Sequence, residues 1–264
     1  MELVRTATDA GVTTLTLDSP ANRNALSTPL MRTLLELLSA ALTDPAVRVV
    51  VISHTGPVFC SGADLKETAE ARETGRVPAE LLADVLAAIW EFPKPVIARV
   101  AGPARAGGLG LIAAADLAVC HRDATFAFSE VRLGVIPAVI SATVLPRLAP
   151  RAAAELYLTG EVFDGARAEA IGLVTRAVAA EGLDATVSAY ARALLLGGPL
   201  ALAGTKQLLR GQAAKNGPGE SVRAELAELS ARSAGYFRSA EGREGMLAFR
   251  EKRPANWVPS DTVG

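Results

Sequence analysis

The first third of the chain alternates between short apolar runs and longer segments with helical spacing. Residues 11–20, GVTTLTLDSP, place apolar residues among threonines, a pattern that predicts a strand running into a turn. Residues 27–45, STPLMRTLLELLSAALTDP, predict a helix that Ser27 or Thr28 caps and Pro45 ends.

The next apolar runs are short and hydrophobic on both faces, which is typical of strands in a buried sheet. We predict such strands in VRVVVIS at 47–53 and KPVIARVAG at 94–102, with the helix AELLADVLAAIWEF at 79–92 between them. DLAVCH at 116–121 and ATFAF at 124–128 are two further strand candidates. Strands that alternate with helices indicate an α/β fold with a mainly parallel sheet.

Beyond Pro137 the pattern becomes helical almost throughout. Residues 138–160 predict two helices, and residues 164–174 predict a third that leads into a brief strand at Val174. Amphipathic helices are then predicted at 199–212, 220–237 and 239–253, the last with Ser239 as its cap. A helical tail of this kind suits packing against a partner subunit.

Composition narrows the function classes. Of 264 residues, 27 are basic and 28 acidic, so nucleic acid is not expected as the main partner, since phosphate binding favours a basic excess. Two cysteines cannot build a disulfide framework, and the first residues lack a basic stretch followed by an apolar run, so we expect a cytoplasmic protein without a membrane span. The two histidines lack metal-ligand spacing, so no metal is expected.

The glycine-rich segment AGPARAGGLGLIAAAD at 101–116 contains G-x-G-x-x-A at Gly108, Gly110 and Ala113, the spacing of a dinucleotide-binding fingerprint. That fingerprint needs its first glycine directly after a strand, whereas the predicted strand ends several residues earlier, near Val100. Tight packing of small residues is one alternative. Another is that the backbone N–H of Gly107, at a helix start, stabilises a negative charge that forms during a reaction.

A second loop supports this last interpretation. GPVFCSGADLKE at 56–67 also leaves a predicted strand and enters a helix, which places the N–H of Ala63 at a helix start. Two converging N–H donors are what the oxygen of a thioester enolate requires. Cys60, within this loop, is interpreted as a small buried hydrophobe, and Asp116 as a structural capping or turn residue.

Several stretches, in this order, resemble the crotonase (enoyl-CoA hydratase/isomerase) superfamily: PANRNALS, FCSGADLKE, FPKPVIARVAGPARAGGLGLIAAADLAV, FAFSEVRLGVIP, LTGEVFDGARAEAIGLV and EGMLAFREKR. The resemblance implies an α/β spiral of repeated β-β-α units over residues 1–195. It also implies a C-terminal helical region, 196–264, that builds homotrimers, commonly paired into hexamers. The substrate would be an acyl-CoA thioester, and no cofactor is expected beyond the coenzyme A of that substrate.

The resemblance also assigns the site. The backbone N–H groups of Ala63 and Gly107 would form an oxyanion hole, and Glu130 would transfer the proton. Apolar neighbours such as Phe128 and Val131 are expected to raise the pKa of Glu130. The implied substrate-binding residues are Arg23, Ala25, Leu26, Ser61, Asp64, Leu65, Lys66, Arg105, Phe249 and Lys252.

One family carboxylate is missing, because the second glutamate of typical hydratases falls on Gly110. A lone carboxylate suits double-bond isomerisation, yet GLGLIAAAD followed by SEVRLGVIPAVIS resembles a hydratase subgroup that includes methylglutaconyl-CoA hydratases. We therefore expect a hydratase that uses Glu130 alone, with a branched methylglutaconyl-type thioester as one candidate substrate. Δ3-Δ2 enoyl-CoA isomerase and a noncatalytic acyl-CoA binder are the alternatives. Arg105 or Ser141 are candidate helpers, and Arg105 in the acyl pocket would receive a distal carboxylate. Ala106 replaces a usual family glycine.

Overall fold

The computed structural model describes residues 3–64, 67, 79–214 and 239–259. The strands are β1 (Val4–Asp9), β2 (Val12–Leu17), β3 (Val49–His54), β4 (Val96–Val100), β5 (Ala104–Arg105), β6 (Leu117–His121), β7 (Thr125–Ala127), β8 (Phe163–Asp164) and β9 (Arg176–Val178). The α-helices are α1 (Thr28–Thr43), α2 (Ala79–Trp90), α3 (Gly107–Ala114), α4 (Ala138–Val144), α5 (Pro150–Thr159), α6 (Gly165–Ala170), α7 (Leu183–Leu195), α8 (Pro199–Ala214) and α9 (Ala240–Glu251). Short 3-10 helices lie at Pro20–Asn22, Glu130–Leu133 and Ala180–Gly182.

The larger sheet has six strands in the order β1-β2-β3-β4-β6-β9. Only β1 and β2 pair in antiparallel fashion, and every other neighbouring pair is parallel, so the predicted mainly parallel sheet is confirmed. Strand β1 was not predicted, because five of its six residues are exposed and its sequence carries no hydrophobic alternation. The brief strand expected at Val174 begins two residues later, as β9.

A second, smaller sheet in the order β5-β7-β8 lies beside the first. Isolated parallel bridges, Cys60 with Ala104 and Leu26 with Ala63, continue the same arrangement toward the N-terminal half. A strand of the large sheet is therefore followed by a short extended segment in the small layer and then by a helix, as in β4-β5-α3. This repeated β-β-α order places the ends of the short segments together, and those ends form the candidate site.

The large sheet is covered on both faces, which explains its hydrophobic strands. Every residue of β3 is buried. One face packs in the main core against α1, α2 and α3, while Val49, Val51, Ile97 and Val119 face the other way, toward Leu183, Val187, Ala191 and Leu195 of α7. Burial of each such side chain contributes about 1.5–3 kcal/mol, so α7 is part of the folded unit.

The predicted helices at 27–45, 79–92, 138–160, 199–212 and 239–253 are confirmed as α1, α2, α4 with α5, α8 and α9. Ser27 caps α1 through its hydroxyl, which accepts from the N–H of Leu30 at 3.4 Å. The helix predicted at 220–237 lies outside the described residues. In the described part of the chain no single helix is long and apolar enough to cross a membrane, although one pair bent by 110°, Ala180–Leu195 with Pro199–Gly211, passes that test of length and composition.

Asp116 fastens α8 to the large sheet. Its carboxylate accepts from the backbone N–H of Val96 at 2.7 Å and pairs with Lys206 at 2.5 Å and Arg210 at 3.0 Å. The Lys206 side chain is 8% exposed, and its ammonium also donates to the carbonyl of Lys94 at 2.7 Å. These contacts agree with the structural role interpreted for Asp116 from the sequence.

Candidate active site

Two loops that leave neighbouring strands meet at Gly62 and Ala106. Gly62 has φ +93°, and a Cβ added to it would lie 3.0 Å from the Cβ of Ala106 and 3.2 Å from the carbonyl oxygen of Arg105. The carbonyl of Gly62 accepts from the N–H of Leu26 at 2.8 Å, and Leu26 forms the bridge with Ala63. Any side chain at Gly62 would therefore separate the two loops, since both its φ and its space favour glycine.

The N–H of Gly107 lies at the start of α3, beside the same bridge. A Cβ on Gly107 would lie 2.7 Å from Cδ1 of Leu26, so a side chain there would displace the end of the Leu26 side chain. Among the described residues, the backbone N–H groups of Ala63 and Gly107 make no hydrogen bond. Helix N-termini carry partial positive charge, so the Gly107 N–H is suited to an anionic oxygen.

Backbone strain accompanies this geometry. Ala106, the N-terminal cap of α3, has φ 46° and ψ −117°, a region that L-residues other than glycine rarely adopt. Such conformations cost about 1–3 kcal/mol and persist where surrounding contacts hold them. The methyl group that replaces a glycine at this position is therefore accommodated at the expense of stability, directly beside the Gly107 N–H.

Glu130 begins the 3-10 helix Glu130–Leu133, in the loop that follows β7. Its Oε2 is buried and has no hydrogen-bond partner within the described part of the chain. Burial raises the pKa of this carboxyl above its ordinary value, while a hydrogen bond from its own backbone opposes the shift. A desolvated carboxyl group with a raised pKa and an oxygen that no described residue occupies is suited to accept and return a proton.

These groups share one pocket of about 410 Å3. Its lining consists of Leu26, Met31, Ala63, Leu82, Ala106, Gly107, Glu130, Val135, Ile136, Pro137, Ala138, Val139 and Ile140. The structure thus brings together four of the residues predicted from the sequence, Leu26, Ala63, Gly107 and Glu130, although they come from four separate segments. Among these described lining residues, Glu130 is the single titratable side chain.

The position of the missing carboxylate is filled by an apolar side chain. A Cβ on Gly110 would lie 2.8 Å from Cγ2 and 3.2 Å from Cβ of Ile140, and 3.2 Å from Cδ1 of Leu86. Gly108 is packed as closely, because a Cβ there would lie 2.9 Å from the Cβ of Cys60. Gly108 and Gly110 therefore serve close helix packing, and neither lines an open loop for a pyrophosphate.

The loop PANRNALS is anchored by Asn24, which sequence reasoning missed. This residue is fully buried with φ 52°, donates through Nδ2 to the carbonyls of Thr55 and Val58, and accepts from the N–H of Ser19 at 2.7 Å. Asparagine tolerates the left-handed conformation and carries both donor and acceptor, which is the only sequence signal for this role.

Further contacts join this loop to the one that holds Ala63. The carbonyl of Arg23 accepts from the N–H of Ser61 at 3.1 Å, and Asn22 Nδ2 donates to the carboxylate of Asp64 at 3.0 Å. Ala25 is buried beside them, and its N–H donates to Oδ1 of Asn22 at 2.9 Å. Arg23, Ala25, Ser61 and Asp64 thus support the position of Ala63 from behind the pocket lining.

Arg105 is not placed as the sequence suggested. Its guanidinium donates to the carbonyls of Ala104 at 2.8 Å and Thr125 at 2.5 Å, and to the Thr125 hydroxyl at 3.0 Å. These bonds hold the side chain along β5 and β7, and Arg105 is absent from the pocket lining. The expectation that it receives a distal acyl carboxylate is corrected by this placement, because its donors are directed to the strand instead.

The remaining predicted contacts lie elsewhere. Lys252 is exposed on the turn after α9, with φ 53°, and is not part of the pocket lining. Leu65, Lys66 and the side chain of Phe249 lie outside the described residues. Ser141 uses its hydroxyl to donate to the carbonyl of Pro137 at 2.6 Å, so it stabilises the pocket wall without lining it.

The geometry of Cys60 and His54 does not suit catalysis. Burial raises the pKa of the Cys60 thiol to about 12, so it is not a thiolate nucleophile at neutral pH, as the sequence interpretation had it. His54 accepts through Nε2 from the N–H of Ala101 at 3.0 Å, and burial lowers its pKa. Across the described ranges, no three His, Cys, Asp or Glu side chains are grouped to hold a metal ion.

The pocket holds one buried carboxyl group and two backbone N–H groups that have no partner among the described residues, which are the groups that proton transfer beside an oxyanion requires. A family model for enoyl-CoA hydratase/isomerase matches residues 7–259. A putative enoyl-CoA hydratase of Thermus thermophilus is 34% identical over 242 residues, which cover 90% of this chain and 94% of that relative.

Solved structures agree. An enoyl-CoA hydratase from Shewanella pealeana aligns with a TM-score of 0.90 at 32% identity, covering 97% of this chain and 96% of that one. A putative enoyl-CoA hydratase from Mycobacterium avium paratuberculosis is 46% identical with a TM-score of 0.74, covering 97% and 99%. The chain belongs to the enoyl-CoA hydratase/isomerase family, the crotonase superfamily, and the fold expected from the resemblance is confirmed.

Proposed function

We propose that this protein is an enoyl-CoA hydratase in which Glu130 is the sole acid–base group. The observation that carries the proposal is the shared pocket of Glu130, Ala63 and Gly107, with Oε2 of Glu130 buried and unpartnered within the described chain. The hydratase names of the Thermus thermophilus and Shewanella pealeana proteins also support hydration.

In the proposed reaction, the thioester oxygen accepts hydrogen bonds from the N–H groups of Ala63 and Gly107. The carboxylate of Glu130 takes a proton from water while the water oxygen bonds to C3, and the electron pair of the double bond moves toward the thioester to form the enolate. Glu130 then gives the proton to C2, so water is added without a net change at the enzyme. The two amides stabilise the enolate oxygen, a contribution typically worth about 3–4 kcal/mol per donor.

Isomerisation between Δ3 and Δ2 enoyl thioesters is the second candidate. It is supported by Ile140, which fills the space beside Gly110 and leaves the pocket with one carboxylate. Glu130 would remove a proton from C2 of a 3-enoyl thioester and return it to C4, while the same two amides hold the dienolate oxygen. This reaction needs no water in an otherwise apolar pocket.

One experiment separates the two reactions. Crotonyl-CoA and 3-hexenoyl-CoA are incubated with the protein in oxygen-18 water, and products are identified by mass spectrometry. Labelled 3-hydroxyacyl-CoA supports hydration, whereas conversion of 3-hexenoyl-CoA to the 2-enoyl isomer alone supports the second candidate.

Glu130→Gln tests the role of the carboxylate. We expect it to lower turnover by about 10³-fold, within the range for loss of a general acid–base. Glu181→Gln, at an exposed glutamate, is the matched control and is expected to leave turnover unchanged. Acyl-CoA binding without turnover by the wild-type protein would indicate a noncatalytic binder.

Assembly, cofactor use and location complete the proposal. We propose a homotrimer, or a hexamer of paired trimers, with no cofactor beyond the coenzyme A of the substrate and a cytoplasmic location. Light scattering on the full chain measures the assembly directly, and turnover by the purified protein without additions tests the need for a cofactor.

A further inference from the structure

The acyl side of the pocket is hydrocarbon. Met31 and Ile140 are almost fully buried, Leu82 and Val139 are partly buried against the core, and together they form the wall beyond the two amides. Among the described residues of the lining there is no lysine, arginine or histidine, and Glu130 is the one charged side chain there. A second carboxylate on the substrate would lose its water there without gaining a cation.

The basic residue that directly precedes Ala106 of the lining, Arg105, already forms hydrogen bonds elsewhere. Arg105 is the last residue of β5, and its guanidinium donates three hydrogen bonds to Ala104 and Thr125. Turning it toward the pocket would break these bonds and leave the carbonyl of Thr125 without a charged donor. The chain therefore holds this cation away from the acyl group.

We propose that the pocket selects thioesters whose acyl chain is an uncharged hydrocarbon and rejects those that carry a second carboxylate. This selectivity rests on the proposed function, and it excludes the methylglutaconyl type of substrate. An acyl carboxylate would be desolvated and would face the negative charge of Glu130, and both effects oppose binding. A hydrocarbon chain gains from the same walls.

A matched pair of substrates tests the selectivity. 2-Pentenoyl-CoA and glutaconyl-CoA have the same five-carbon chain and differ by a carboxylate in place of the terminal methyl group. We expect kcat/KM at pH 7 to favour 2-pentenoyl-CoA by more than about 200-fold, above the roughly 10–200-fold that one methylene provides in an apolar pocket. Values within tenfold of each other would overturn the proposal.

A substitution in the wall provides the second test. Val139→Lys introduces a cation into the lining, and Val139→Met introduces an uncharged chain of similar length. We expect the preference for 2-pentenoyl-CoA to fall at least tenfold in the lysine variant relative to the methionine variant. Equal preferences in the two variants would show that charge in the pocket does not control selection.

Binding separates this proposal from the proposed function. Calorimetric titration with pentanoyl-CoA and glutaryl-CoA, which have no double bond to react, measures selection without turnover. Tighter binding of pentanoyl-CoA together with no turnover of any enoyl-CoA would refute the proposed function and retain the selectivity. Turnover of an enoyl-CoA together with equal affinity for pentanoyl-CoA and glutaryl-CoA would support the proposed function and refute the selectivity.

Discussion

Replacing Gly110 by glutamate restores the carboxylate that typical family hydratases carry, and the structure predicts that the fold resists it. The new Cβ would lie 2.8 Å from Cγ2 of Ile140, in a helix that is buried along its whole length. Overpacking of this kind costs about 1–3 kcal/mol, and a buried carboxyl group without a partner adds a comparable amount. Removing a helical glycine returns about 1 kcal/mol.

The net expectation for Gly110→Glu is a loss of about 3 kcal/mol in the free energy of unfolding. Guanidinium denaturation followed by circular dichroism measures it, and each kcal/mol also lowers Tm by about 2–4 °C in a chain of this size. Gly211→Glu is the matched control, because a Cβ on Gly211, in α8, meets no atom of the described residues within 4 Å. It is expected to leave stability unchanged or to raise it slightly.

A double-mutant cycle identifies the cause. Ile140→Ala alone leaves a cavity and costs about 2–5 kcal/mol, but it also vacates the space that a glutamate at 110 would enter. The double variant is therefore expected to be more stable than the sum of the two losses by about 1–3 kcal/mol. Additive losses, or a Gly110→Glu protein as stable as wild type, would refute the claim that Ile140 occupies the carboxylate position.

Three further predictions concern strain and buried charge. Ala106→Gly removes the strain of the positive φ, but it raises the conformational entropy of the unfolded chain, which costs about 0.4–1 kcal/mol. We therefore expect the free energy of unfolding, measured by denaturation, to increase by about 1 kcal/mol. A decrease would contradict the claim that Ala106 is strained. Burial raises the pKa of Glu130 above 4.5, so the native chain retains a proton that the unfolded chain releases. As pH rises from 4.5 through the native pKa, the free energy of unfolding of the wild type is therefore expected to fall relative to that of Glu130→Gln. If the free energies of unfolding of the two proteins change in parallel with pH, the pKa of Glu130 is not raised in the native state. Burial lowers the pKa of Lys206 from 10.5 to about 8, because desolvation outweighs the attraction of Asp116. Its contribution to stability is expected to rise between pH 8 and 10.5 and to vanish in Lys206→Met, and a pH dependence that survives this substitution would assign it to another group.

Much of the architecture was readable from local patterns. The apolar runs at β3 and β4 predicted strands that are buried on both faces, and Ser27 with Pro29 predicted the start of α1. Strand β1 and the two-residue strand β5 could not be predicted from the sequence, because a strand with one buried residue or only two residues has no hydrophobic periodicity. Helix α7 was not predicted as a separate helix. Its packing against the second face of the large sheet is a tertiary contact.

The sequence by itself determined the kind of site. A glycine or small residue where a strand turns into a helix marks a backbone donor, and the motifs around Ala63, Gly107 and Glu130 named the participants, which the fold then placed in one pocket. The resemblance to the crotonase superfamily implied the role of Glu130 and the missing carboxylate at Gly110. The motifs that carry this resemblance, and the strand-to-helix turns that place the two N–H groups, are local in sequence, so they are visible without coordinates.

Tertiary structure alone decided what surrounds those groups. Ile140 fills the space beside Gly110 from 30 positions away, and Thr125 holds the guanidinium of Arg105 from 20 positions away. Both contacts depend on how separate β-β-α units stack, and no periodicity or motif reports which side chain of one unit meets another. The sequence therefore indicates the chemistry, while the packing between units determines that the described part of the pocket lining has one carboxylate and no cation.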